Sequence, residues 1–200
     1  DDVGNRIKKR LFDLAISSLV TIFILSWLIP IVSLLIWLDS RGPIFFIQQR
    51  SGKNGKTFNC IKFRSMKVNK DSNEKQATKN DKRVTKLGSF LRKSNLDEMP
   101  QFFNVLMSDM SIVGPRPHML KHTDDYSKLL NRYMVRHFLK PGITGWAQIH
   151  GYRGEIKHVQ DINNRVEYDI WYLENWSIWL DTRKILMTAF NMAKGEKNTY

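Results

Sequence analysis

The sequence predicts an α+β chain, mainly helical: an N-terminal membrane helix kinked at Pro30, a small β-hairpin, and a helical domain over the remainder. Three observations carry this reading. Leu14 to Leu38 holds no charged residue; two β-rich runs flank a Gly52, Asn54, Gly55 cluster; and proline and glycine punctuate helical periodicity thereafter. Residues 1–40 are expected to form the membrane segment and 41–200 a single domain.

A hydrocarbon core of about 30 Å needs about 20 apolar residues in helical form, so Leu14 to Leu38 is long enough to cross. Basic residues stand at both ends, Arg6, Lys8, Lys9 and Arg10 before it and Arg41, Arg50, Lys53 and Lys56 after it. Both ends therefore favour the cytoplasmic side. Pro30 lacks an N–H and its ring meets the carbonyl of Ser26, with the hydroxyls of Ser26 and Ser33 available to the freed groups. A helix that enters, bends and returns satisfies these facts; a kinked spanning helix is the alternative. A cleaved signal peptide is disfavoured, because the run is too long and no small-residue cleavage site follows.

Ile44–Gln48 and Thr57–Phe63 read as the hairpin. The almost wholly polar Lys67–Lys82 reads as a surface loop, and Leu87–Lys93 as a short helix. Pro100, tolerated in a first turn, predicts a helix from near Asp97 to about Met107. Val113–Pro117 should be a rigid loop, since Pro115 and Pro117 fix φ. A polar helix is expected from about His122 to Phe138, a glycine-rich loop region over Lys140–Gly154, a helix over Asn163–Asn175, and a last amphipathic helix over Leu180–Lys194. Trp171, Tyr172, Trp176 and Trp179 suit either a headgroup-level belt or a packed core.

A net charge of +13 and a pI near 9.9 imply an anionic partner: nucleic acid, anionic lipid or a phosphorylated substrate. The apolar segment and the lack of a recognisable binding module argue against nucleic acid. Cys60 is the single cysteine, so no internal disulfide forms. The chain begins at Asp1 rather than methionine, which suggests an excised or processed domain. His118 and His122 stand at helical metal-ligand spacing, but no third ligand accompanies them. There is no Rossmann or P-loop glycine motif.

Asp97 and Glu98 are adjacent acids at an expected helix start, where most such pairs only cap. Arg64, Arg92, Arg116 and Arg153 lie beside turn residues or aromatics, and arginine's planar fork matches phosphate. Acids beside arginines on a membrane-bound chain suggest phosphoryl chemistry, with magnesium held by Asp97 and Glu98 together with substrate phosphates.

From about Lys9 to Tyr200 the chain resembles the bacterial sugar transferases, the monotopic polyprenyl-phosphate phosphoglycosyl transferases. The matching stretches are Lys9-Arg10-Leu11-Phe12-Asp13, Gln49-Arg50 with Gly52 and Gly55, Lys62-Phe63-Arg64-Ser65-Met66, and Asp81 with Arg83, Thr85 and Gly88. They continue through Leu96-Asp97-Glu98-Met99-Pro100-Gln101, Asn104-Val105, Asp109-Met110-Ser111 and Val113-Gly114-Pro115-Arg116-Pro117. Last come Pro141 to Gln148, Asn175-Trp176-Ser177 and Trp179-Leu180-Asp181.

The resemblance implies transfer of a sugar 1-phosphate from a UDP-sugar to undecaprenyl phosphate, with release of UMP and initiation of a surface polysaccharide. It makes Asp97 the nucleophile of a covalent phosphosugar intermediate and Glu98 a magnesium ligand or catalytic assistant. It gives Arg92, Arg116 and Arg153 phosphate or nucleotide contacts. It also implies the re-entrant helix, a bacterial inner-membrane location, membrane lipid as partner, and residues 41–200 as a cytoplasmic catalytic domain with interfacial helices. Ile29 stands before Pro30 where small members carry serine. Trp146 through Arg153, Glu155 and Arg165–Asp169 look most like long-form members, which load glucose or galactose 1-phosphate and carry a further membrane domain upstream. A homo-oligomer stays open.

Overall fold

The computed structural model describes residues 3–69, 78, 81–152, 156 and 158–194. One continuous helical rod opens the chain: α1 (Val3–Val20), a wide π turn (Thr21–Leu25) and α2 (Ser26–Asp39). Helical winding runs through Pro30, and the irregular turn lies just ahead of it. There the Ser26 N–H bonds Thr21 O, and the Ser26 hydroxyl donates to Ile22 O at 2.6 Å. Such local widening keeps backbone groups satisfied near a proline.

The rod has two faces. Asp13, Ser17, Leu25, Leu28, Val32 and Ile36 form a buried stripe, in steps of three or four residues but for the gap across the π turn between Ser17 and Leu25. Leu19, Ile22, Phe23, Trp27, Ile31, Leu34, Trp37 and Leu38 are exposed, an apolar surface of the kind that marks membrane contact. The buried stripe packs on Phe63, Leu91 and their neighbours, so the rod lies against the domain along much of its length.

Strands β1 (Phe45–Ser51) and β2 (Thr57–Phe63) form the expected antiparallel hairpin, with Gln48 opposite Cys60. Asn104, fully buried, seals the outer edge of β2: its Oδ1 accepts from Ile61 N at 3.0 Å and its Nδ2 donates to Asn59 O at 2.7 Å. Helix α3 (Lys86–Lys93) matches expectation. The Asp97–Met107 helix does not. Asn95 adopts a left-handed φ of 58°, Leu96–Glu98 form a 3₁₀ turn, and α4 covers only Gln101–Leu106, preceded by Pro100. Asp97 and Glu98 thus precede the helix.

A parallel strand pair borders one expected loop and enters the other: β3 (Ser111–Val113) lies beside β4 (Gly142–Thr144), while Gly114–Pro117 is irregular as expected. Gly142 is required there, because a Cβ would stand 2.1 Å from Gly114 N. The helix expected over His122–Phe138 is divided into α5 (Leu120–Leu129) and a 3₁₀ stretch, Tyr133–Phe138. The short α6 (Trp146–Ile149), α7 (Val159–Glu174) and α8 (Ile178–Lys194) complete the domain. Tyr172 is buried, whereas Trp179 is 74% exposed, so the aromatic cluster serves core and surface together. Most of the polar Lys67–Lys82 segment lies outside the described residues.

The rod is tied down by charge as well as packing. Lys9 Nζ meets Asp181 Oδ2 at 2.7 Å and Asp13 Oδ1 at 3.3 Å, while Arg10 donates to Val105 O and Leu106 O at 2.6 and 2.9 Å. Asp181 also accepts from Tyr172 and Trp176.

Candidate functional site

The 3₁₀ turn after Asn95 carries Asp97 and Glu98 inward, at 8% and 5% exposure. Buried carboxylates need cationic or hydrogen-bonding partners. For Glu98 two are supplied by distant elements: Lys62 Nζ of β2 at 2.7 Å and Arg116 NH2 of the Pro-Arg-Pro loop at 2.9 Å, both on Oε1. Charge pairing, rather than the dipole of a helix start, therefore supports this acid.

Arg116 shows the balance of effects. Burial opposes its charge, but Glu98 and, behind it, Asp97 outweigh that cost and hold the guanidinium above its ordinary value. Arg92 approaches from α3. Its Nε donates to Ser65 Oγ at 2.8 Å; burial lowers its pKa, opposed first by Asp97 and then by Asp81 and Glu98. Gly88 makes that approach possible, since a Cβ would fall 1.9 Å from Ser65 O. Asp97, Glu98, Arg92 and Arg116 are accordingly one electrostatic cluster.

Of the other two arginines named from the sequence, only Arg64 is among the described residues, and its bonds lie elsewhere. Arg64 turns to the end of α2, where it donates to Ser40 O, to Ser40 Oγ at 3.1 Å and to Arg41 O at 3.1 Å. There it ties down the carbonyls of the two residues that follow α2. Arg153 lies outside the described residues, as does Glu155.

Lys62 and Arg50 complete the site; the sequence placed both in family-matching stretches but gave neither a role there. A lysine between Ile61 and Phe63 in a β-rich run was the available signal for Lys62. Arg50, whose charge burial disfavours, donates to Pro117 O at 3.0 Å and to Gln48 Oε1, with Arg116 and Glu98 among its charged neighbours.

His118 is used internally. Its Nδ1 lies 2.6 Å from Tyr133 OH, and Arg136 and Arg165 approach its ring. Burial first, and then those arginines, hold its pKa well below the ordinary value, so it stays neutral. Among the described residues no group of three or more potential metal ligands occurs. Asp97 and Glu98 offer hard oxygen donors on consecutive residues, and a cation that takes one or two carboxylates plus substrate phosphate suits that donor set.

A protein from Xanthomonas campestris pv. campestris, described as a UDP-glucose:undecaprenyl-phosphate glucose-1-phosphate transferase, is 53% identical over 82% of this chain. Proteins of the same description from Klebsiella pneumoniae and Escherichia coli are 50% and 48% identical, each over 93% of the chain. The matches cover 34%, 40% and 40% of those relatives' own lengths. The model of the bacterial sugar transferase family matches residues 4–195, nearly the whole chain. The chain belongs to the bacterial sugar transferase family.

Proposed function

We propose that this chain moves a sugar 1-phosphate, glucose or galactose 1-phosphate favoured, from a UDP-sugar to undecaprenyl phosphate at the cytoplasmic face of a bacterial inner membrane. The observation that carries the reading is the buried Asp97–Glu98 turn set among Arg92, Arg116 and Lys62. Relatives described by that reaction support it.

A pyrophosphate repels an attacking carboxylate unless nearby cations neutralise its oxygens. In the proposed first step Asp97 attacks the β-phosphorus, an oxygen–phosphorus bond forms, and the bond to the α-phosphate oxygen breaks to release UMP. In the second, a phosphate oxygen of undecaprenyl phosphate attacks the same phosphorus, and the bond to Asp97 breaks. Arg92 and Arg116 flank the acids and would neutralise phosphoryl oxygens, while Glu98 orients Lys62 and Arg116. Magnesium, held by Asp97 and Glu98, would add charge neutralisation of the phosphates.

The membrane rod is proposed to bend at Pro30 and re-enter rather than span. Its buried stripe from Asp13 to Ile36 is about 35 Å long at 1.5 Å per residue, comparable to the hydrocarbon thickness. It packs on elements that also carry Arg64 and Arg92. A perpendicular crossing would pull those charges into lipid, at a cost of about 3 kcal/mol each or more.

UMP release tests the reaction. With UDP-glucose or UDP-galactose, magnesium and undecaprenyl phosphate in detergent, the native chain should release UMP and Asp97→Asn should not. Undiminished turnover by Asp97→Asn would reject the mechanism.

A further inference from the structure

The Pro115–His118 segment presents Arg116 to Glu98, yet prolines at 115 and 117 remove two of its backbone donors. Its carbonyls are nevertheless all engaged from outside. Gly142 N donates to Pro115 O at 2.9 Å, Arg136 NH2 to Arg116 O at 2.9 Å, Arg50 NH1 to Pro117 O at 3.0 Å, and Ser51 N to His118 O at 3.1 Å.

Arg136 is unusual among these donors. It is 1% exposed, it lies on the separate 3₁₀ stretch after α5, and its charge is met by Asp169 of α7 at 2.8 Å, itself 2% exposed. Its NH1 lies 2.9 Å from His118 Nδ1, and its guanidinium carbon sits 5.4 Å from the centre of the Tyr133 ring. A buried ion pair contributes little to stability when its desolvation is counted, but it fixes geometry. Here that geometry ends on the carbonyl of Arg116 itself.

We propose that Arg136, oriented by Asp169, is a positioning residue for the reaction: through the Arg116 carbonyl it holds the Arg116 guanidinium in register with Glu98. The inference rests on the reading of Asp97, Glu98 and Arg116 as the reacting site. Lysine at 136 keeps the charge but has one nitrogen on a flexible stem, whereas Arg136 serves Asp169 and the Arg116 carbonyl through NH2 while its NH1 is fixed against His118.

A double-mutant cycle on the full chain separates positioning from general support of the fold. Arg136→Lys, Arg116→Ala and the double variant are compared by kcat/KM with UDP-glucose, by UDP affinity and by thermal melting. Arg136→Lys should lower kcat/KM about tenfold or more, the loss expected when a catalytic group is misplaced. On the Arg116→Ala background the same change should alter kcat/KM and UDP affinity by less than about twofold, while its melting shift is the same in both backgrounds. If Arg136→Lys does not fold, Asp169→Asn takes its place with the same expectations. Losses that multiply independently, or an Arg136→Lys enzyme of native activity, would overturn the proposal. An active Asp97→Asn enzyme would instead reject the reacting site. Inert Asp97→Asn with multiplying losses would reject the positioning role alone.

Discussion

Glu98 accepts from Lys62 and Arg116 on the same oxygen, so neutralising it removes the counter-charge that both cations share. Glu98→Gln should lower the melting temperature, with a stability loss of about 2 kcal/mol, as expected for charged hydrogen bonds. It should also reduce kcat/KM about a hundredfold, the loss expected when Lys62 and Arg116 are no longer held in place at the phosphoryl oxygens. Native activity and melting in that variant would make Glu98 a bystander. At this scale the sequence was informative where residue chemistry was unusual for its position: adjacent acids ahead of Pro100, and arginine between two prolines. It was uninformative for Arg64, because an arginine that ties down carbonyls after a helix reads the same as one that meets phosphate. Lys62, Arg50 and Arg136 act across long sequence separations, and no local pattern announces such partners.

Among the elements, the hairpin was legible because β-branched and aromatic residues flank a glycine-asparagine turn. Helix α8 followed from the helical spacing of its apolar residues; α3 and α7 lie where helices were expected, α7 starting four residues earlier. The β3–β4 pair was not legible, since three-residue strands show no alternation and parallel pairing joins distant segments. The turn at Asp97 was misread as a helix start because the left-handed Asn95 that reverses the chain has no strong sequence signature. The apolar rod was visible in composition, but its inward stripe and its attachment through Lys9, Arg10 and Asp181 required the tertiary structure. For this element the re-entrant reading predicts that tags at residues 1 and 200 are accessible from the same side of sealed vesicles. Protection of one tag and exposure of the other would mean that the rod spans.

At the level of the whole molecule, one arrangement meets two demands. An apolar face of the rod is exposed, as the proposed lipid contact requires, while its opposite face packs on the domain that carries the acid–arginine cluster. In the proposed reaction a soluble nucleotide and a membrane-bound acceptor meet at one phosphorus atom, and the Asp97 ester would let them do so in turn. The account predicts that the full chain, incubated with UDP-glucose and magnesium but without lipid acceptor, gains the mass of one hexose phosphate. Peptide mass spectrometry should place that adduct on Asp97, and added undecaprenyl phosphate should discharge it. UMP formation that depends on the lipid acceptor, with no adduct formed when the lipid is withheld, or an adduct on another residue, would contradict the account.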